Sequence, residues 1–110
     1  MLRMTEMVVV LTTVADNDAA DGIARQLVDE RLAACVNVLP AMTSVYRWRG
    51  EVARDVERQL VIKTTRDRVA ALEARLKALH AYELPEFVVV RIEAGSPGYL
   101  QWVAEQTRSG

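Results

Sequence analysis

One histidine and one cysteine are the only soft or borderline metal donors with strong ligating power in this chain: His80 in "LKALHAYELPE" and Cys35 in "RLAACVNVLP". Copper and zinc favour imidazole and thiolate, and a closed site takes three or four ligands. The two residues stand on different elements, with no C-x-x-C or H-x-x-x-H spacing. A divalent metal centred on His80 and Cys35 therefore needs carboxylates such as Glu83, methionine, or donors from neighbouring subunits. Each residue also has a purely structural role open to it. Cys35 suits a small buried apolar position at a helix–strand junction. His80 ends a helical pattern, where imidazole interacts well with the helix dipole.

A second set of residues could line a cleft. Lys63 interrupts the apolar strand "LVIKTT" at the same parity as Glu57, and Tyr82 and Glu86 follow in "AYELPE". A lysine in such a strand needs a partner or a wet cleft. Glu57, Lys63, Tyr82 and Glu86 can thus hold a small ligand between subunits, or form a structural ion pair at a subunit boundary. No Gly-rich phosphate loop accompanies them, so a nucleotide has no direct support. No G-x-S-x-G, H-E-x-x-H or oriented Cys–His arrangement is present, and the chain does not read as an enzyme. "YRWRG" mixes arginine with aromatics, but Glu51, Asp55 and Glu57 follow at once, which argues against a nucleic-acid groove.

Six segments and a tail must position these residues. The 110 residues form one domain, expected to span 1–110, and are 51% hydrophobic and 26% charged with a net charge of −1. That balance fits a folded, near-neutral protein and excludes a broad basic surface. A single cysteine excludes an internal disulfide, so a cytoplasmic setting is the simplest fit. Arg3 precedes an apolar run of about eight residues, near the lower limit for a signal-peptide core, and no small-residue cleavage site follows. The run is also far below the ~20 residues of a membrane span, so no membrane is expected as a partner.

The run 7–14 is β-branched and apolar and reads as a buried strand. Ala20, Ile23, Ala24, Leu27 and Val28 recur at helical spacing within 15–34, and Asp16, Asp18 and Asp21 crowd the helix start, where carboxylates favour the dipole. Two extended segments follow at 36–48 and 56–65, with Gly50 in the turn region and Pro40 marking an edge or a bulge. Residues 65–80 return to helix with Thr65 as the expected N-cap, 86–92 form the fourth strand, and 95–108 form a last helix with Ser96 at its N-cap and Pro97 at its first position. The order predicts an α+β, ferredoxin-like βαββαβ sandwich with a C-terminal helix.

Two helices cover only one side of a four-stranded sheet, yet "MVVVL" and "FVVV" are apolar at both parities. Apolar patches of that extent are uncommon on soluble monomers, so self-association is expected to cover the second face. The hairpin arms from 36 to 65 exceed the usual strand length of about five or six residues and should project beyond the sheet. Tyr46 and Trp48 near its tip then offer large amphipathic surfaces to a neighbour, or pack on their own hairpin.

The ordered set "ERLAACVNVLP", "TSVYRWRGE", "IKTT", "LHAYELPE" and "GYLQWV" resembles the CutA family of divalent-cation-tolerance proteins across nearly the whole chain. The resemblance implies a tight homotrimer of PII-like architecture, with strand edges and hairpins pairing across subunits and Trp102 joining Tyr46 and Trp48 at the interface. It implies copper or other divalent-metal tolerance, no enzymatic activity, and a metal that is possible as cofactor but not required for folding. In some copper-binding relatives a cysteine occupies the position of Thr12 and a second histidine that of Leu79. Both departures remove ligands and weaken the case for a tight copper site here.

Overall fold

The computed structural model describes residues 6–108; Arg3 and the outermost residues of the expected 1–110 domain lie outside the described residues. The chain runs β1 (Met7–Ala15), α1 (Ala19–Asp29), β2 (Cys35–Val38), β3 (Met42–Trp48), β4 (Glu51–Thr65), a single 3-10 turn (Arg66–Arg68), α2 (Val69–Leu79), β5 (Val88–Arg91) and α3 (Pro97–Gln106). All pairings are antiparallel, in the order β2-β4-β1-β5. β3 also pairs with β4, and because Glu57 faces both Ala15 of β1 and Met42 of β3, β3 lies on the edge of β4 that β2 occupies. β2 and β3 are therefore one arm of the ferredoxin-like sheet, broken at Leu39 to Ala41. Pro40 explains the break, since it has no N–H to give the ladder. The Leu39 N–H makes the last contact, 2.9 Å to the Gln59 carbonyl.

The hairpin is longer than its apolar pattern indicates. β4 begins at Glu51 rather than at 56, because Arg49 and Gly50 alone form the turn. Both have positive φ, 51° and 84°. That combination is the type I′ geometry, whose twist matches two paired strands. The first helix, in turn, is shorter than 15–34. Asn17 Oδ1 accepts the Ala19 N–H at 2.9 Å at its start, and Arg31, left-handed at φ 60°, ends it. The Leu27 carbonyl then takes the N–H groups of Leu32 and Ala33. Asp18 and Ser96 occupy N-cap positions without a side-chain capping bond, and Thr65 bonds Asp67 instead.

One core forms between the sheet and the two helices α1 and α2. Val8, Val10, Val14, Leu60 and Ile62 point from the strands toward Ala20, Ile23, Leu27, Leu72 and Leu76. Each Val, Leu or Ile among them contributes about 1.5–3 kcal/mol when fully buried. Thr12 and Thr64 share this face. Thr64 donates to the Leu32 carbonyl at 2.7 Å, whereas the buried Thr12 hydroxyl has no partner among the described residues.

The opposite face stays apolar, as the double-parity pattern requires. Register places Leu11 between Val61 and Val88, and Val9 between Lys63 and Val90. α3 covers only one end, where Val103 packs with Met7 and Ala34. Val88 and Val90 remain 47% and 45% exposed. The hairpin stretches the molecule to 52 × 25 × 23 Å, and the radius of gyration is 14.9 Å. A compact chain of this length has about 13 Å. No helix among the described residues is long and apolar enough to cross a membrane.

Candidate functional site

An open groove of about 900 Å³ lies between the hairpin and the loop that joins α2 to β5. Strand parity builds one wall. Met42, Ser44, Tyr46 and Trp48 of β3 stand opposite Glu57, Asp55, Ala53 and Glu51 of β4, so these pairs share a face. The loop builds the other wall with Tyr82, Glu83, Leu84, Pro85 and Glu86.

His80 fixes the loop. It follows the last residue of α2, and its own N–H still reaches the Leu76 carbonyl at 2.8 Å. Its backbone then turns extended (φ −85°, ψ 140°). Nδ1 accepts the Tyr82 N–H at 3.1 Å, which leaves the proton on Nε2, and Nε2 donates to the Thr13 carbonyl of β1 at 2.6 Å. The Tyr82 ring packs against the imidazole with centroids 4.5 Å apart. Both ring nitrogens are thus used to pin the loop to the sheet. A metal ion on His80 would have to displace the Tyr82 N–H.

Tyr82 and Glu57 meet across the groove. Glu57 is only 8% exposed although it is a carboxylate. Burial, and next the hydrogen bonding and charge of Glu57, push the Tyr82 hydroxyl far above the usual phenol range. A second phenol–carboxylate pair lies farther up the hairpin, where the Tyr46 hydroxyl donates to Asp55 and that bond is the main reason its ionisation is raised. Gln59 completes the floor, donating to Glu86 at 3.0 Å and to the Thr12 carbonyl at 3.2 Å. Glu83 turns outward, 69% exposed, to a 2.8 Å salt bridge with Arg49 at the hairpin tip.

The expected cleft residues are only partly gathered. Glu57, Tyr82 and Glu86 line the groove, but Lys63 does not. It lies six residues farther along β4, roughly 20 Å at strand rise, where its ammonium donates to Asn37. The candidate metal ligands do not converge. Cys35 sits opposite Lys63, and the strand position beside His80 is Gln59, opposite Thr13. Four residues of strand, about 13 Å, separate those positions. Cys35 is half-buried rather than enclosed, with Asn37 Oδ1 at 4.0 Å and the Tyr99 hydroxyl beside it. Among the described residues no three His, Cys, Asp or Glu side chains come together to hold a metal ion. The donor set of a single chain does not fit a closed copper or zinc site.

The aromatic candidates are all at the surface. Tyr46 and Trp48 are 40% and 38% exposed on the hairpin, with Arg49 lying 5.4 Å over the Trp48 ring. Trp102 stacks on Tyr99 of α3 with centroids 5.5 Å apart. Asp55, Gln59 and Arg49 were not among the residues the sequence singles out. Asp55 and Gln59 had a usable signal: with Glu57 they place polar groups at every second residue of β4, a continuous polar row on one face. Arg49 had none, since its contact with Glu83 crosses 34 residues.

Residues 8–106 match the CutA1 divalent ion tolerance protein family. The chain is 50% identical over 99 residues to the divalent-cation tolerance protein CutA of Thermus thermophilus, covering 90% of this chain and 96% of that protein. It is 44% identical over 93 residues to the CutA homolog of Xenopus laevis, covering 84% of this chain but 62% of that longer protein. The solved structure of the divalent cation tolerance protein from Thermus thermophilus superposes with a TM-score of 0.90 at 49% identity, over 93% of this chain and 99% of that one. The fold, the full-length match and the level of identity agree: the chain belongs to the CutA1 divalent ion tolerance protein family.

Proposed function

We propose that this CutA protein works as a cytoplasmic homotrimer, a binding or scaffold protein of divalent-cation tolerance without enzymatic activity. The observation that carries the trimer is the open sheet face. Val9, Leu11, Val61, Val88 and Val90 form one apolar surface that α3 leaves uncovered, and the projecting hairpin supplies Tyr46 and Trp48 beside it. A face of this kind is stable in water when identical copies bury it together. Sedimentation equilibrium is expected to give a trimer that survives sub-micromolar dilution. A folded monomer, with the 12.3 kDa mass of one chain, would refute the proposal.

Metal enters this proposal as a weak ligand. His80 is the best single donor, but its Nδ1 lone pair must first give up the Tyr82 N–H. Titration with Cu(II) and Zn(II) is expected to find no nanomolar site, and such binding as occurs is expected to fall on acidification, on protonation of the imidazole, and in His80→Ala. Cys35→Ser is expected to leave it unchanged. A nanomolar copper site abolished by Cys35→Ser and indifferent to His80→Ala would reverse this ranking. A phosphate-bearing ligand, as in a PII-like signalling module, is not favoured for the groove, because Asp55, Glu57, Glu83 and Glu86 line it with negative charge.

A further inference from the structure

Glu57 and Lys63 stand on one face of β4, toward the two ends of the stretch that pairs with β1, and neither has an ion-pair partner within 4 Å among the described residues. Glu57 is 8% exposed beside Tyr82 and has no cation next to it. Arg58, its neighbour in sequence, points to the other face and is held by the Leu39 carbonyl at 2.9 Å and by Asp16. Lys63 has the complementary deficit. It is flanked across the sheet by Val9 and Cys35, and Asn37 takes one of the three donors that an ammonium carries. Lys63 is half-buried, and covering the open face would bury both charges further, where a charge left unpaired is strongly unfavourable.

We propose that in the assembled protein Lys63 of each copy reaches the Glu57 carboxylate of the next and closes the groove at Tyr82. This rests on the homotrimer proposed above. A three-fold ring uses a heterologous contact, in which one patch of a subunit meets a different patch of its neighbour. Opposite charges at opposite ends of one apolar face suit that contact: the ring repeats one pairing three times and leaves no copy unmatched. The groove is then a composite site, with carboxylate and phenol from one subunit and ammonium from another. It also explains how a lysine can stand beside Val9 and Val61 on the open face.

A double-mutant cycle on the full chain tests the pairing, with the dissociation midpoint read from sedimentation velocity over a dilution series. Glu57→Gln and Lys63→Met are each expected to raise the midpoint concentration tenfold or more. The double variant is expected to be no worse than the weaker single one. Within one chain the residues lie roughly 20 Å apart, beyond the 7–10 Å or so over which substitutions couple. Multiplicative effects from a trimeric parent would therefore overturn the pairing and leave the trimer standing, whereas a monomeric parent would overturn both. If a neutral variant fails to fold by circular dichroism, the exchange Glu57→Lys with Lys63→Glu decides. Assembly restored above both single reversals supports the pair, and no restoration refutes it.

Discussion

Leu11→Asp is expected to turn the proposed trimer into folded monomers. Leu11 is at the centre of the open face, with Val61 on one side and Val88 on the other. A carboxylate there would be buried in the proposed trimer, with Val61 and Val88 directly beside it and Lys63 only at a diagonal position already bonded to Asn37. Burying an unpaired ion costs several kcal/mol even after relaxation. At 1.4 kcal/mol per tenfold, about 4 kcal/mol raises the dissociation midpoint by about a thousandfold. The subunit itself should survive, because Val8, Val10, Leu60 and Ile62 face the helices and are untouched. Size-exclusion chromatography with light scattering, alongside far-ultraviolet circular dichroism, checks both halves of the expectation. Ala71→Asp on the exposed surface of α2 is the control and should remain trimeric. A Leu11→Asp protein that stays trimeric at micromolar concentration would mean that this face is not the one the copies share.

Leu27→Ala is expected to be among the most damaging single truncations in the subunit core. Leu27 is fully buried on α1, packed with the sheet residues and with α2 in one cluster. Removing three buried carbons from such a site costs about 2.7–5 kcal/mol, from lost transfer energy and the cavity left behind. For a domain near 100 residues that lowers the melting temperature by more than about 10 °C. The comparison must be made at one protein concentration, since assembly adds to apparent stability. Val28→Ala, one position along and 42% exposed, should change little. Equal losses for the two variants would show that α1 is not seated as described.

The fold was legible because strand and helix periodicities are local. Apolar runs at 7–14 and 86–92, helical stripes between them, and Gly50 with Pro40 as punctuation are enough to order the βαββαβ elements and to require cover for the second face. The start of β4 was not legible. "EVARD" has no apolar run, and it is extended because β3 pairs with it residue by residue from Trp48↔Glu51 to Met42↔Glu57 across a two-residue turn. That pairing is a non-local hydrogen-bond ladder, invisible to composition. Likewise α1 stops at Asp29 because Arg31 turns left-handed.

Which residues share a face follows from the order of the residues alone, since side-chain direction follows position number in a strand. Glu57 and Lys63 were placed together on that ground, and they do share a face. That the α2–β5 loop comes to Glu57 and not to Lys63 is set by packing, because the path of a loop depends on what lies beneath it. The same holds for His80. Its type admits a metal or a helix end. Its neighbours Thr13 and Tyr82, one of them 67 residues away in sequence, occupy both nitrogens and make it the pin that holds the groove wall to the sheet.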